Sequence, residues 1–416
     1  MPKMLERGSS DRRGLLGLVV VLLVFTTVAL SAWLASDLRA QTPASPIKIG
    51  LLMPGSGPFT VNGQRITISV RLFFQTKEWQ VAGRKIELVS EDTQGEAQVA
   101  LTKTQRLVEK EGVHALIAYV TTPSAYAARD YLTAAKMPTV VVTGAHGLVH
   151  PGSPQRSPYM FRSYISLYGY GKALAEWIHG KARHNRVILV ASNFGGALEP
   201  AFAFTTTFQK LGGQIVIQIR PPLATVDWSP WLSQVAAAMP NADALIAMAY
   251  GADALRMVQN WSELGLKGKI PLYGGEAFLS EMLLPAMGQA AEGIRQIDSY
   301  CPTLDTPENQ NFVRLVRTAG QYPAENNYYG WSAAQAMWEG LRGVGGRAED
   351  REALAKALEQ VQFANLMGPF RYDQNHNPIV DTYIQEVRRV GGEFHNTCVE
   401  RIPSVGHPGE IPFPPR

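Results

Sequence analysis

Two short polar pairs and one carboxylate stand where apolar runs give way to turns, a placement suited to gripping a small charged solute. Thr121 and Thr122 follow the run Ala115–Val120 and precede a helical pattern that begins near Ser124. Thr143 closes the run Thr139–Thr143, and Gly144 comes next. Hydroxyls and open backbone N–H groups at a helix start donate to anions, although the same threonines also suit helix capping. Glu276 follows Ile270–Tyr273 and two glycines, Gly274 and Gly275, so its carboxylate projects from a strand end without crowding. A carboxylate enclosed in a cleft needs a cationic donor, and such a charge-assisted bond contributes about 1.5–3 kcal/mol. Donors for a carboxylate and an anion for an ammonium together complement a zwitterion.

The patterns of covalent and metal chemistry are absent. No Gly-x-Ser-x-Gly elbow, P-loop or His-Glu-x-x-His occurs. His146 and His150 are four apart, but Gly144, Gly147, Pro151 and Gly152 mark a loop rather than a ligand-bearing helix face, so no metal is expected. Neither cysteine lies beside a plausible base. The expectation is a binding protein, not an enzyme, with no cofactor. The chain has 416 residues, 46% hydrophobic and 18% charged, enough for two lobes with separate cores. Its net charge of +4 includes no basic stripe interleaved with aromatics, which argues against nucleic acid as a partner.

Residues 1–40 read as an address rather than as fold. Basic residues come first, then an uncharged apolar run from Gly14 to Ala35, then small residues around Ser36 to Ala40. Asp11-Arg12-Arg13-Gly14-Leu15-Leu16 resembles a twin-arginine signal. The run is also long enough to span a bilayer as an uncleaved anchor, and cleavage near Ala40 is the expectation. In an exported chain Cys301 and Cys398 form either one disulfide or two separate thiols.

From Ile47 onward short β-branched runs alternate with amphipathic stretches. Strands are expected at Ile47–Met53, Lys85–Ser90, Ala115–Val120, Thr139–Thr143, Val187–Ala191, Gln214–Ile219, Ala244–Ala249 and Ile270–Tyr273. Most are continuously apolar, as strands buried on both faces of a parallel sheet are. One sheet holding all of them would be very wide, so two lobes are expected. Breaks fall at 156–162, at Gly293–Pro302 and at Met367-Gly368-Pro369-Phe370. Beyond Glu400 the chain turns proline-rich, and an extended or disordered tail is expected.

A resemblance runs through these features in order, over about residues 46–395. Ile47-Lys48-Ile49-Gly50-Leu51 leads into Gly55-Ser56-Gly57-Pro58, and Glu91-Asp92-Thr93-Gln94-Gly95 precedes the next helix. Thr121-Thr122, Val140-Val141-Val142-Thr143, Phe161-Arg162, Gly274-Gly275-Glu276, Glu292-Gly293 and Met367-Gly368-Pro369-Phe370 follow. In order and spacing the chain resembles the type I periplasmic binding proteins, in their branched-chain amino-acid (leucine/isoleucine/valine-binding) branch. The resemblance implies an α/β fold: two Rossmann-like lobes with central, mostly parallel sheets, joined by a three-crossover hinge. Lobe I would comprise 46–162 plus 298–366 and lobe II 163–297 plus 367–400, between a leader at 1–40 and a tail at 401–416. It implies a monomeric periplasmic receptor of an ABC importer that closes on an amino acid or amide-like solute and delivers it to a membrane permease. A receptor for an aromatic or other carboxylate, or a sensory module on the same fold, is the alternative. Within the cleft it implies that Glu276 receives an ammonium. Phe194 stands where the family tends to have a tyrosine, Tyr250 forms a further wall, and Ser56 is a candidate to reach the solute.

Overall fold

The computed structural model describes residues 45–409. The expected signal or anchor lies outside those residues. Six strands form the first sheet: β1 (Ile47–Met53), β2 (Gln80–Val81), β3 (Arg84–Asp92), β4 (Ala115–Ala118), β5 (Thr139–Val141) and β6 (Met160–Arg162). Their order is β2-β3-β1-β4-β5-β6, parallel throughout except for the β2–β3 edge pair. In β1 and β4 almost every side chain is buried because helices cover both faces, which is why the sequence reads as unbroken apolar runs. Each Leu or Ile so placed contributes about 1.5–3 kcal/mol.

The second sheet is built from β7 (Arg186–Ala191), β8 (Gln214–Ile219), β9 (Ala244–Met248), β10 (Leu272–Gly274), β11 (Arg295–Asp298), β12 (Gln362–Asn365), β13 (Gly368–Tyr372), β14 (Pro378–Val390) and β15 (Glu393–Val405). Its path runs β12-β13-β14-β11-β10-β9-β7-β8, with β15 paired to β14. The centre is parallel, and the β11–β14 junction begins an antiparallel flank. The chain passes from the first sheet to the second after β6. It leaves again after β11 and returns through β12 and β13, so three crossovers join two lobes.

All eight expected strands form, with ends displaced by a few residues. The flank β12–β15 was not foreseen. Its two long strands mix polar and apolar residues without a regular period, and Gly391-Gly392 between Val390 and Glu393 is the hairpin signal that marks it. Both glycines have positive φ, as a two-residue hairpin turn of this kind requires. The expected tail is corrected here: residues 401–405 belong to β15, paired to Asp381-bearing β14. Gly406 continues inward, its carbonyl so close to Gly169 that a Cβ there would come within 2.4 Å.

Of the helices covering the first sheet, Glu325–Gly343 packs on Thr60–Thr76, and Gly330 allows it, since a Cβ would meet the Ile66 carbonyl at 2.6 Å. Cys301, in the second crossover, is joined by a disulfide to Cys398 on β15, with Cα atoms 6.0 Å apart. Among the described residues no helix is long and apolar enough to cross a membrane.

Candidate functional site

A cavity of about 480 Å³ opens between the two lobes. Thr122, Thr143 and Gly144 reach it from the ends of β4 and β5, while Phe194, Tyr250 and Glu276 reach it from the ends of β7, β9 and β10. This is where open α/β sheets bind ligands, outside the carboxyl ends of their strands. Thr122 and Glu276, some 150 residues apart in the chain, therefore line one hollow.

Helix starts and acidic side chains both reach the cavity wall. Helices Thr122–Ala134, Gly195–Lys210 and Gly251–Glu263 all begin at its wall, and none has a side-chain cap. Their first-turn N–H groups have no partner within the helix, and the positive ends of their dipoles favour an anion. Thr122 and Thr143 hydroxyls stand 3.3 Å apart in this region, close enough to grip one carboxylate together. Thr143 is 3% exposed, so its hydroxyl is already withdrawn from bulk water.

Glu276 is 2% exposed. Its Oε1 accepts hydrogen bonds from the hydroxyls of Tyr164 at 2.9 Å and Tyr329 at 3.1 Å. Its Oε2 is buried without a hydrogen-bond partner among the described residues. The turn that aims it is held by Ala277, at φ +55°, whose N–H donates to Asp298 Oδ2 at 3.2 Å. Gly275 permits the close passage beside Met248, whose Sδ would lie 2.3 Å from a Cβ. Burial pushes the Glu276 carboxyl up to about 7, against the tyrosine hydroxyls that favour its ionised form, and Glu325 adds to the rise. Asp298 is raised by burial and then by Glu276, and Glu325 by burial as well. No lysine or arginine is among the described residues lining the cavity. Two acids, Glu276 and Glu325, line the cavity, and Arg65 acts on Glu325 from outside that lining.

Much of the remaining lining is apolar and aromatic. Phe194 and Tyr250 meet edge to face with centroids 5.8 Å apart, and Val120, Val142 and Leu167 complete the lining beside them. Tyr164 and Tyr329 pack at 4.4 Å over the Glu276 carboxylate.

Two residues expected here are elsewhere. Ser56 is exposed and donates to Asp92 Oδ2 at 2.7 Å, so it ties the first turn to β3 rather than reaching the cavity. The Thr121 hydroxyl lies within hydrogen-bond distance of the Gly95 carbonyl and of Ser124 Oγ, and its side chain supports the loop behind Thr122. Conversely, sequence reasoning missed Tyr164, Tyr329, Glu325 and Ser280. Tyr164 sits in a crossover and Tyr329 near the start of the helix Glu325–Gly343, in another segment, so no local pattern links either to Glu276.

Comparison with known proteins agrees with this architecture. The periplasmic binding protein family profile matches residues 46–393. A Leu/Ile/Val-binding protein homolog 6 from Brucella melitensis is 28% identical over 92% of this chain and 98% of its own length. An ABC transporter substrate-binding protein from Sphaerobacter thermophilus superposes with a TM-score of 0.84 at 32% identity, over 88% of this chain and all of that one. A solute-binding protein of an ABC transporter from Rhodopseudomonas palustris BisB5, solved with 3,4-dihydroxybenzoic acid, gives 0.78 at 26% identity, over 88% and 99%.

Proposed function

Since the chain belongs to the periplasmic binding protein family, whose relatives serve ABC transporters as substrate-binding proteins, we propose that its cleft takes a solute bearing an ammonium and a carboxylate, an amino acid or a close amide-like analogue. The observation that carries this reading is Glu276 Oε2, buried and without a hydrogen-bond partner in a two-lobed cavity that lacks a lining lysine or arginine among the described residues. An ammonium placed there regains the interaction that burial removed from the carboxylate, which favours the charged form of Glu276. The carboxylate goes to the Thr122 and Thr143 hydroxyls and the start of the helix Thr122–Ala134. Phe194, Tyr250 and the aliphatic wall take the side chain.

Because one end of the solute is held by lobe I and the other by lobe II, binding stabilises the closed arrangement over the open one. A membrane permease then reads the closed form. The bound solute leaves chemically unchanged.

A second reading rests on the aromatic walls and on the relative solved with a dihydroxybenzoate. There a ring stacks between the aromatics and a phenolic hydroxyl meets Glu276. A thermal-shift panel of amino acids, amides and aromatic acids separates the two, since ligand at a hundred times its Kd adds about 2.7 kcal/mol. Stabilisation by amine-bearing solutes alone supports the first reading. A response only to acids without an amine overturns it.

A further inference from the structure

Three histidines from distant parts of the chain converge beside the cleft without lining it. His146 and His150 belong to the loop after β5, and His407 follows β15 on the other lobe. One ring nitrogen from each lies within 4.8 Å of the others. The ring centroids are 4.8 Å apart for His146–His150, 4.8 Å for His146–His407 and 5.3 Å for His150–His407. The loop expected from the glycines contains a 3-10 turn at His146–Leu148, and the His150 N–H donates to the His146 carbonyl at 3.1 Å. That turn gives the two rings the same-face relationship that a helical i, i+4 pair has. Gly147 N–H donates to the Tyr126 hydroxyl at 2.9 Å, which pins the turn. The Tyr168 ring stacks on His146 at 4.4 Å and 7° and holds its plane.

We propose that His146, His150 and His407 form a binding site for one divalent transition-metal ion of the zinc type, joining the loop after β5 to the segment after β15. An all-imidazole donor set suits zinc, nickel and copper rather than magnesium or calcium. Three protein nitrogens leave the fourth position to water or an added ligand. With metal–nitrogen bonds of about 2.0–2.1 Å, tetrahedral ligands stand about 3.4 Å apart, so the rings must draw together by up to about 1.5 Å. Because the ligands come from both lobes, the ion acts as a clip between them.

The buried Arg162 acts on both His146 and His407. Arg162 opposes an added cation, while Glu199, interacting with both Arg162 and Tyr168, supplies a compensating carboxyl. His150 Nδ1 accepts from Gly152 N–H at 3.1 Å. Ligation through its Nε2 moves the ring proton to Nδ1 and displaces that amide, a local change within the loop.

The test uses untagged full-length protein, stripped with EDTA and titrated with Zn²⁺ against a chromophoric competing chelator, then separately with Co²⁺. One equivalent bound with Kd on the order of 1 μM or tighter, and Co²⁺ visible bands of four-coordinate nitrogen ligation, are expected. H407Q and H150Q should each weaken Zn²⁺ binding by at least about tenfold. His146 is 4% exposed and its substitution could cost the fold, so H407Q and the Co²⁺ spectrum of the unaltered protein carry the result. Affinity weaker than about 100 μM, a spectrum of octahedral oxygen ligation, or H407Q and H150Q binding Zn²⁺ as the unaltered protein does, overturns the site.

Discussion

The Tyr164 hydroxyl donates to Glu276 Oε1 at 2.9 Å, so a residue of the first crossover fixes the carboxylate at the tip of a lobe II strand. The relationship couples the hinge to the acid that faces the cavity. It also leaves Oε2 as the oxygen available to a solute.

Glu276→Gln keeps the shape and the tyrosine contacts but removes the negative charge. Isothermal titration should show an amine-bearing solute weakened at least about tenfold, while the empty protein melts no lower at pH 8 because a buried acid has been removed. An unaltered Kd would take Glu276 out of the site.

The carboxyl of Glu276 titrates near 7 in the empty protein, raised by burial. An ammonium selects the ionised form, so affinity should climb by up to about tenfold per pH unit below 7 and level off above it. A solute lacking an amine would show no such rise. Stability follows the opposite sign. The folded state holds the proton more tightly than the unfolded chain, so the contribution present below the unfolded value of 4.5 is lost as pH rises through about 7. The advantage of E276Q over the unaltered protein in urea denaturation should therefore grow from pH 5 to pH 8.

Thr122→Val and Thr143→Val each remove one hydroxyl from a pair 3.3 Å apart. Each should weaken a carboxylate-bearing solute by roughly 1 kcal/mol, about fivefold, and affect the corresponding methyl ester less. Equal losses for acid and ester would place the carboxylate elsewhere.

The Cys301–Cys398 disulfide spans 97 residues and ties the second crossover to β15. The double serine variant should lose up to about 4–5 kcal/mol, read as a lower melting temperature that reductant no longer changes. A melt equal to that of the oxidised protein would show that the link contributes nothing.

Much of this was written in local pattern. The buried parallel strands announced themselves as apolar runs because both faces are covered, and Thr122, Thr143 and Glu276 line the cavity because side chains just past these strand ends open onto it. The antiparallel flank was not legible, because β14 and β15 mix polar and apolar residues without a regular period and only Gly391-Gly392 marks their turn. Ser56 and Thr121 share the residue types and placement of true lining residues, and only the Asp92, Gly95 and Ser124 contacts reveal them as loop supports.

By itself, then, the sequence determined two α/β halves and which strand ends carry hydroxyls, aromatics and an acid. Periodicity and turn chemistry act over a few residues, and those features need no more. Tertiary structure alone decided which atoms meet: Tyr164 and Tyr329 on Glu276, and His407 beside His146 and His150. Those contacts join segments from 53 to more than 250 residues apart, and they exist only once three passes of the chain bring both lobes together.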